Sequence, residues 1–352
     1  MEDRILKVEN LEISFKTQFG RVKPVDEVNF YLDRGETLGI VGESGCGKTV
    51  TAFSIIRLLP KNAILGERSR IWFEGTDLAE CSKEELQKIR GKKISMIFQE
   101  PMTSLNPLFT IGQQLAEVYR LHEGLSEKEA KQRSIGLLEM VRIPEPKKRI
   151  DDYPHLLSGG MRQRAMIAMA LACKPSLLIA DEPTTALDVT IQAQILELIH
   201  ELKTAQNTST IVITHDLGVV AEMCGRVIVM YAGRVCERGT ASEIFYNPHH
   251  EYTRGLLRSI PNIESDDKQR LVPIAGTPVD LLNLPAGCAF APRCERAMKI
   301  CLQKNPEEYW VAQDHSASCW VNVLENRGTP LTALGGQDAA AQADATHEEA
   351  AK

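Results

Sequence analysis

Eight residues, GESGCGKT from Gly42 to Thr49, restrict this chain more than any other segment. They satisfy G-x-x-x-x-G-K-[ST] between ETLGIVG, a nearly uncharged run that reads as a buried strand, and KTVTAFSIIRLL, which reads as a helix. Glycines let the backbone wrap so that several N–H groups converge on phosphate oxygens, and the helix N-terminus adds positive potential. The expected nucleotide-phosphate residues are therefore Gly42, Glu43, Ser44, Gly45, Cys46, Gly47, Lys48, Thr49 and Val50. Lys48 is placed to reach the β- and γ-phosphates, and the Thr49 hydroxyl to hold Mg²⁺. Such a loop requires a strand before it and a helix after it, and so an α/β fold.

The rest of the chain supplies that fold. ILKVENLEISF, VKPVDEVNFYL, KKISMIFQE, SLLIADEP and STIVITHD read as strands. The amphipathic TIQAQILELIHELKTAQ separates the last two, and the alternation predicts a largely parallel, doubly wound α/β sheet. From about Thr110 to Tyr153 the pattern is helical. SEKEAKQRSIGLLEMV opens there with a Ser126–Glu129 capping box, and the stretch reads as an insertion. The run LLIADEP ends in Asp181, which can enter the Mg²⁺ shell. Glu182 follows it, where a carboxylate can polarise an attacking water. A kinase gives no reason for Glu182 to sit there, so the pair predicts ATP hydrolysis.

Composition narrows the setting. At 352 residues the chain is long enough for two domains, or for one large domain with an appendage. A net charge of −6 provides no global basic field, which argues against nucleic acid as a partner. MEDRILKVENLEISF lacks a charged-then-apolar signal pattern, so export is not expected. The longest apolar runs, AMIAMALAC and VIVMYAG, are far short of a bilayer span. Any membrane connection is therefore expected to run through a partner.

LLSGGMRQR, from Leu156 to Arg164, is the third element. Together with the phosphate loop and LLIADEP it closely resembles the ATP-binding cassette (ABC) ATPases over about residues 5 to 240. The resemblance implies a P-loop NTPase with a RecA-like core, an antiparallel β subdomain and a helical subdomain at about 104–160. It implies that Gln99 in IFQEP is the Q-loop residue, contacting Mg²⁺ or the water. Asp188 in TTALDV would be the D-loop residue and His215 in VITHD the switch histidine, which senses the γ-phosphate. Ser158, Gly159, Gly160 and Gln163 would be signature residues, completing the ATP site of a second cassette in a head-to-tail dimer. An upstream aromatic would stack on adenine; Phe19 is preferred, with Phe15 as its competitor. FQEPMTSLNPLFTIGQQL would receive a coupling helix of a membrane subunit.

Residues 241–326 carry NPHHEYTRGLLRSIP and PAGCAFAPRCERAMKIC, which resemble the C-terminal extension of oligopeptide/dipeptide importer ATPases, the first of the two that such importers carry. One departure is visible: Glu251 follows His250 where the family tends to have proline. The resemblance implies two transmembrane permease subunits, a second ATPase, an extracytoplasmic binding protein, and a place at the cytoplasmic face of a bacterial inner membrane. Peptide, glutathione-like and nickel-chelate cargo all remain open. A lipid or drug exporter ATPase or a DNA-repair cassette is a weaker alternative.

Four of the nine cysteines, Cys288, Cys294, Cys301 and Cys319, fall in this extension with spacing C-x5-C-x6-C-x17-C. No tight pair of the structural-zinc kind occurs, although His315 is close to Cys319 as a spare ligand. Disulfides do not suit a reducing cytosol. Wide spacings suit a bulky cubane better than one small ion, and the resemblance implies a [4Fe–4S] cluster; zinc and no metal are the alternatives. Cys46 is a possible oxidation-sensitive position, and Cys81, Cys173, Cys224 and Cys236 read as packing residues. After about Thr240 no further sheet is expected. Residues 327–352, low in complexity and without aromatics, read as a disordered tail.

Overall fold

The computed structural model describes residues 3–185, 188–259 and 273–325, and the backbone of 329–330. Strands β1 (Arg4–Thr17) and β2 (Gly20–Asp33) form a long antiparallel pair. Next come β3 (Thr37–Val41), the phosphate loop and helix α1 (Lys48–Ile55). Strands β4 (Ala63–Leu65), β5 (Arg70–Phe73) and β6 (Thr76–Asp77) complete the first sheet, with order β2-β1-β5-β6 and β4 alongside β1. Helix α2 (Lys83–Ile89), closed by a Ser82–Glu85 capping box, leads to β7 (Ile94–Ile97).

The expected helical stretch follows: α3 (Pro101–Ser104), α4 (Ile111–Glu123), α5 (Glu127–Met140) and α6 (Pro146–Arg149). Capping boxes start α4 at Thr110 and α5 at Ser126, so the Ser126–Glu129 pairing read from sequence is present. Helix α7 (Gly159–Leu171) then leads to β8 (Leu177–Asp181), α8 (Val189–Gln206), β9 (Ser209–Thr214), α9 (Leu217–Met223), β10 (Arg226–Tyr231) and β11 (Arg234–Thr240).

Strands β10, β3, β9, β8 and β7 pair parallel in that order. Both faces of this sheet are covered, which explains why its strands read as unbroken apolar runs. Alternate side chains feed two cores. Leu38, Ile40, Leu177, Ile179, Ile211 and Ile213 pack with the antiparallel sheet and α1. Leu178, Ala180, Val212, Val227 and Val229 pack with α4, α5, α7, α8 and α9. No helix among the described residues is long and apolar enough to cross a membrane.

The C-terminal part departs from expectation. Helices α10 (Ala241–Tyr246), α11 (Glu251–Arg258) and α12 (Lys299–Gln303) are followed by β12 (Tyr309–Ala312), β13 (His315–Ala317), α13 (Trp320–Leu324) and β14 (Thr329–Pro330). Strand β13 pairs with β11, so the extension continues the central sheet as β11-β13-β12-β14. These runs are two to four residues long, too short for an alternation signal. Of the tail expected from 327 onward, the short β14 is described; residues 327–328 and 331–352 lie outside the described set.

One buried carboxylate ties the extension to the sheet. Glu237 on β11 accepts hydrogen bonds from the backbone N–H groups of His249 (2.6 Å) and His250 (3.0 Å) and pairs with His315 Nε2 at 2.7 Å. Burial would raise its pKa, but the hydrogen bonds from His315 and the His249 amide outweigh that and hold the carboxyl below its ordinary value. Its stabilisation is therefore present above the ordinary carboxylate range and lost as pH falls through the folded-state value. Glu237→Ala leaves those donors unpaired and is expected to cost about 3 kcal/mol in denaturant unfolding. Acidification below the carboxylate range should destabilise the wild type more than Glu237→Gln. Equal acid sensitivity would contradict this role.

Candidate active site

The predicted motifs meet at the carboxyl edge of the parallel sheet, where open α/β folds bind ligands. The phosphate loop leaves β3 with Gly42, Gly45 and Gly47 all at positive φ. A Cβ at Gly42 would lie 2.3 Å from the Met230 carbonyl, and one at Gly47 would lie 2.1 Å from that of Pro24. Only glycine fits where the loop passes these strands. Gly47 precedes α1 without any side-chain cap, so the first-turn amides of that helix stay open to a ligand. Ser44 and Gly45 form the exposed crown, Val50 is half-buried, and Lys48 is buried. The Lys48 ammonium donates to the carbonyls of Gly42 (2.7 Å) and Glu43 (3.0 Å).

The two acidic residues at the end of β8 differ in environment. Asp181 is buried and accepts a hydrogen bond from the Thr49 hydroxyl at 3.1 Å, which joins two of the three expected Mg²⁺ residues. Burial, with the Glu182 charge beside it, pushes Asp181 up to about 6 despite Thr49 and Lys48. Glu182 sits at φ 46, a left-handed conformation costing about 1–3 kcal/mol in a non-glycine residue. Its amide donates to the Ile213 carbonyl at 2.8 Å, so β9 holds the turn. Its carboxylate accepts from Gln99 Nε2 (2.8 Å) and the Thr185 hydroxyl (2.9 Å), and His215 Nδ1 lies 3.2 Å away. Burial would raise this carboxyl. The Thr185 and His215 hydrogen bonds and the His215 and Lys48 charges win, and hold it below its ordinary value.

Two hydrogen-bonded sets thus meet at the end of β8, Thr49 with Asp181, and Gln99 and His215 with the adjacent Glu182. Thr185 belongs to the second and escaped the sequence reading, because a threonine in EPTT carries no spacing signal of its own. Phe19 lies in the β1–β2 turn with 78% of its surface exposed, whereas Phe15 packs against the core below the sheet.

The second expected anion site begins at α7. Ser158 caps it, accepting from the Met161 amide at 3.3 Å, and Ser158 and Gly159 are exposed. Gly160 closes against Ile191 of α8, where a Cβ would lie 3.1 Å away. Gln163 does not face outward with them. It is buried and donates to the Pro183 carbonyl at 2.5 Å, which fastens α7 to the segment after β8. Asp188 caps α8 through the Ile191 amide.

The four extension cysteines are free thiols, with Cys301 on α12 and Cys319 capping α13. The Cys288 amide donates to the Cys301 carbonyl at 2.7 Å. Burial first, then mutual charge, pushes Cys288, Cys294 and Cys319 up to about 11. Backbone N–H groups oppose this rise: that of Phe290 at Cys288, that of Arg296 at Cys294, and those of Val321 and Glu251 at Cys319. Among the described residues, no group of three or more His, Cys, Asp or Glu is arranged to hold a metal ion. His315 pairs with Glu237 through Nε2, its Nδ1 is buried without a hydrogen-bond partner, and it belongs to no such donor group among the described residues. Cys46 is buried, and burial raises its pKa; this counters the expectation of an oxidation-sensitive position.

Comparison with known proteins agrees with this geometry. Residues 25–185 match the ABC transporter family, and residues 236–301 match the oligopeptide/dipeptide transporter C-terminal region. The chain is 55% identical to the oligopeptide transport ATP-binding protein OppD of Bacillus subtilis over 90% of its length and 89% of the relative's. It is 51% identical to the dipeptide transport ATP-binding protein DppD of the same organism, over 91% of this chain and 95% of that one. An ATP-binding cassette solved as a dimer in a post-hydrolysis state with ADP and Pi superposes with a TM-score of 0.60 at 28% identity, over 67% of this chain and 98% of its own. The chain belongs to the ABC transporter ATPases, in the branch that carries the oligopeptide/dipeptide transporter C-terminal region.

Proposed function

We propose that the chain is the ATP-hydrolysing subunit of a bacterial importer of di- and oligopeptides, acting at the cytoplasmic face of the inner membrane. Its partners in this reading are two transmembrane permease subunits, a second ABC ATPase and an extracytoplasmic substrate-binding protein. The observation that carries the ATPase chemistry is the ionised Glu182 carboxylate beside Asp181, gripped by Gln99, Thr185 and His215. The cargo rests on the relatives, which are named oligopeptide and dipeptide transport proteins.

The α1 amides and Lys48 bind phosphate oxygens, and Lys48 exchanges its two loop carbonyls for them. Thr49 and Asp181, with Gln99 nearby, are the residues that would hold Mg²⁺, which would supply charge neutralisation for the phosphates. Glu182 accepts the proton of the attacking water. Gln99 and His215 contact that base directly at rest. A γ-phosphate that draws either side chain away therefore changes the base along with the shape of the site. Phe19 offers a face for adenine. Ser158 and Gly159, exposed at the start of α7, serve the nucleotide of a second cassette, so closure is favoured only while phosphates bridge the halves. Met102, Leu108 and Phe109 expose apolar surface beside Gln99, and Leu108 is 79% exposed; they suit a coupling helix of a permease.

We read Cys288, Cys294, Cys301 and Cys319 as ligands of a [4Fe–4S] cluster. The reading rests on four thiol donors at wide spacings, C-x5-C-x6-C-x17-C, which suit a bulky cubane better than one small ion, and on the resemblance of the extension. Such a group braces a segment poor in regular structure.

Glu182→Gln should bind ATP yet hydrolyse it on the order of a hundredfold more slowly in a phosphate-release assay; normal turnover would remove Glu182 as the base. Lys48→Ala should lose nucleotide affinity, measured by titration with a fluorescent ATP analogue. Anaerobically purified protein should contain about four irons and four acid-labile sulfides per chain, lost on Cys294→Ser. One zinc per chain, or no metal, would overturn the cluster.

A further inference from the structure

One residue of the phosphate loop is held from outside the ATPase core at two points. The backbone N–H of Glu43 donates to the hydroxyl of Tyr252 on α11 at 2.7 Å. The Glu43 carboxylate is gripped by both terminal nitrogens of Arg293, at 2.5 and 2.9 Å. Both partners lie some two hundred residues later in sequence, in the segment that carries the cysteines; Arg293 directly precedes Cys294.

This contact is built rather than incidental. The Arg293 side chain is only 4% exposed, and its remaining donor capacity goes to the carbonyls of Ala275 (3.0 Å) and Ile274 (3.4 Å) and to the Tyr231 hydroxyl (3.4 Å). Tyr252 is fully buried, with its ring 4.7 Å from Tyr231 and 5.3 Å from Phe290. A planar fork matched to a carboxylate fixes orientation as well as charge, which a lysine at the same place does not.

The charge matters because of where it sits. Glu43 directly follows Gly42 in a loop whose open amides are shaped for anions. An uncompensated carboxylate there repels the phosphates that the loop exists to bind. We infer that Arg293, supported by Tyr252, is a positioning residue for nucleotide binding: it neutralises and orients Glu43 from the C-terminal extension, so that the phosphate loop takes nucleotide phosphates only when the extension is docked. This rests on the proposed reading of Gly42–Thr49 as the ATP site.

The test is ATP affinity of the full chain, by titration, for wild type, Arg293→Ala, Glu43→Gln, the double variant and Lys48→Ala. Arg293→Ala is expected to bind ATP about tenfold more weakly, because it strands the Glu43 charge in the loop. The double variant, with no charge to strand, should return to within about twofold of wild type. A merely structural role would give loss without rescue, and that result overturns the inference, as does unchanged affinity in Arg293→Ala. If Arg293→Ala does not fold, Arg293→Lys decides: about a threefold loss reversed by Glu43→Gln supports the inference, and no loss refutes it. Lys48→Ala separates the two levels. If it retains ATP affinity, the loop is not the nucleotide site; if it loses affinity while Arg293→Ala does not, only the positioning role falls.

Discussion

The site depends on how β3 is paired. With β9 on one side and β10 on the other, both parallel to it, Val41 stands level with Thr214 and Val229. Asp181 stands level with Ile213 on the next strand. These registers bring the phosphate loop, the Asp181–Glu182 pair and His215 to one edge without any local sequence linking them. A slip of one residue would turn each strand's side chains to the opposite core, and both faces are tightly packed. The apolar strands therefore set the catalytic geometry as well as the stability of the fold.

At that edge the groups are occupied with each other. Lys48 holds loop carbonyls, Thr49 holds Asp181, and Gln99, Thr185 and His215 hold Glu182. Each of these contacts can be exchanged for a phosphate oxygen, a cation or a water. A ligand that makes the exchange gains differential contacts, which is the condition for driving a conformational change. The extension adds a further constraint, because Arg293 and Tyr252 hold Glu43 of the loop.

How much of this was legible varied with the range of the interaction. GESGCGKT and LLIADEP were readable because their chemistry lies in local spacing, and the Ser126–Glu129 cap for the same reason. The family resemblance assigned Gln99 and His215 to the nucleotide site, but their contacts with Glu182 were not legible, since no spacing encodes them. Gln163 illustrates the limit of such carry-over: a signature position, yet its amide fastens α7 to Pro183 in its own chain. Thr185, Glu237, Tyr252 and Arg293 were missed because their partners are distant in sequence or lack a motif. Strands β12 to β14 were missed because they are too short to show a period. The cysteines were visible as a set, but the Glu251 amide on Cys319 needed the backbone.

The central claim is that one nucleotide site is assembled from the loop at β3, the carboxylates of β8 and the side chains after β7 and β9. The most direct test is a structure of the Glu182→Gln chain with Mg²⁺ and ATP. The account predicts triphosphate oxygens on the α1 amides and Lys48, Mg²⁺ on Thr49 and Asp181, and Gln99 released from residue 182. Nucleotide bound away from Lys48, or Mg²⁺ away from Thr49 and Asp181, would contradict it.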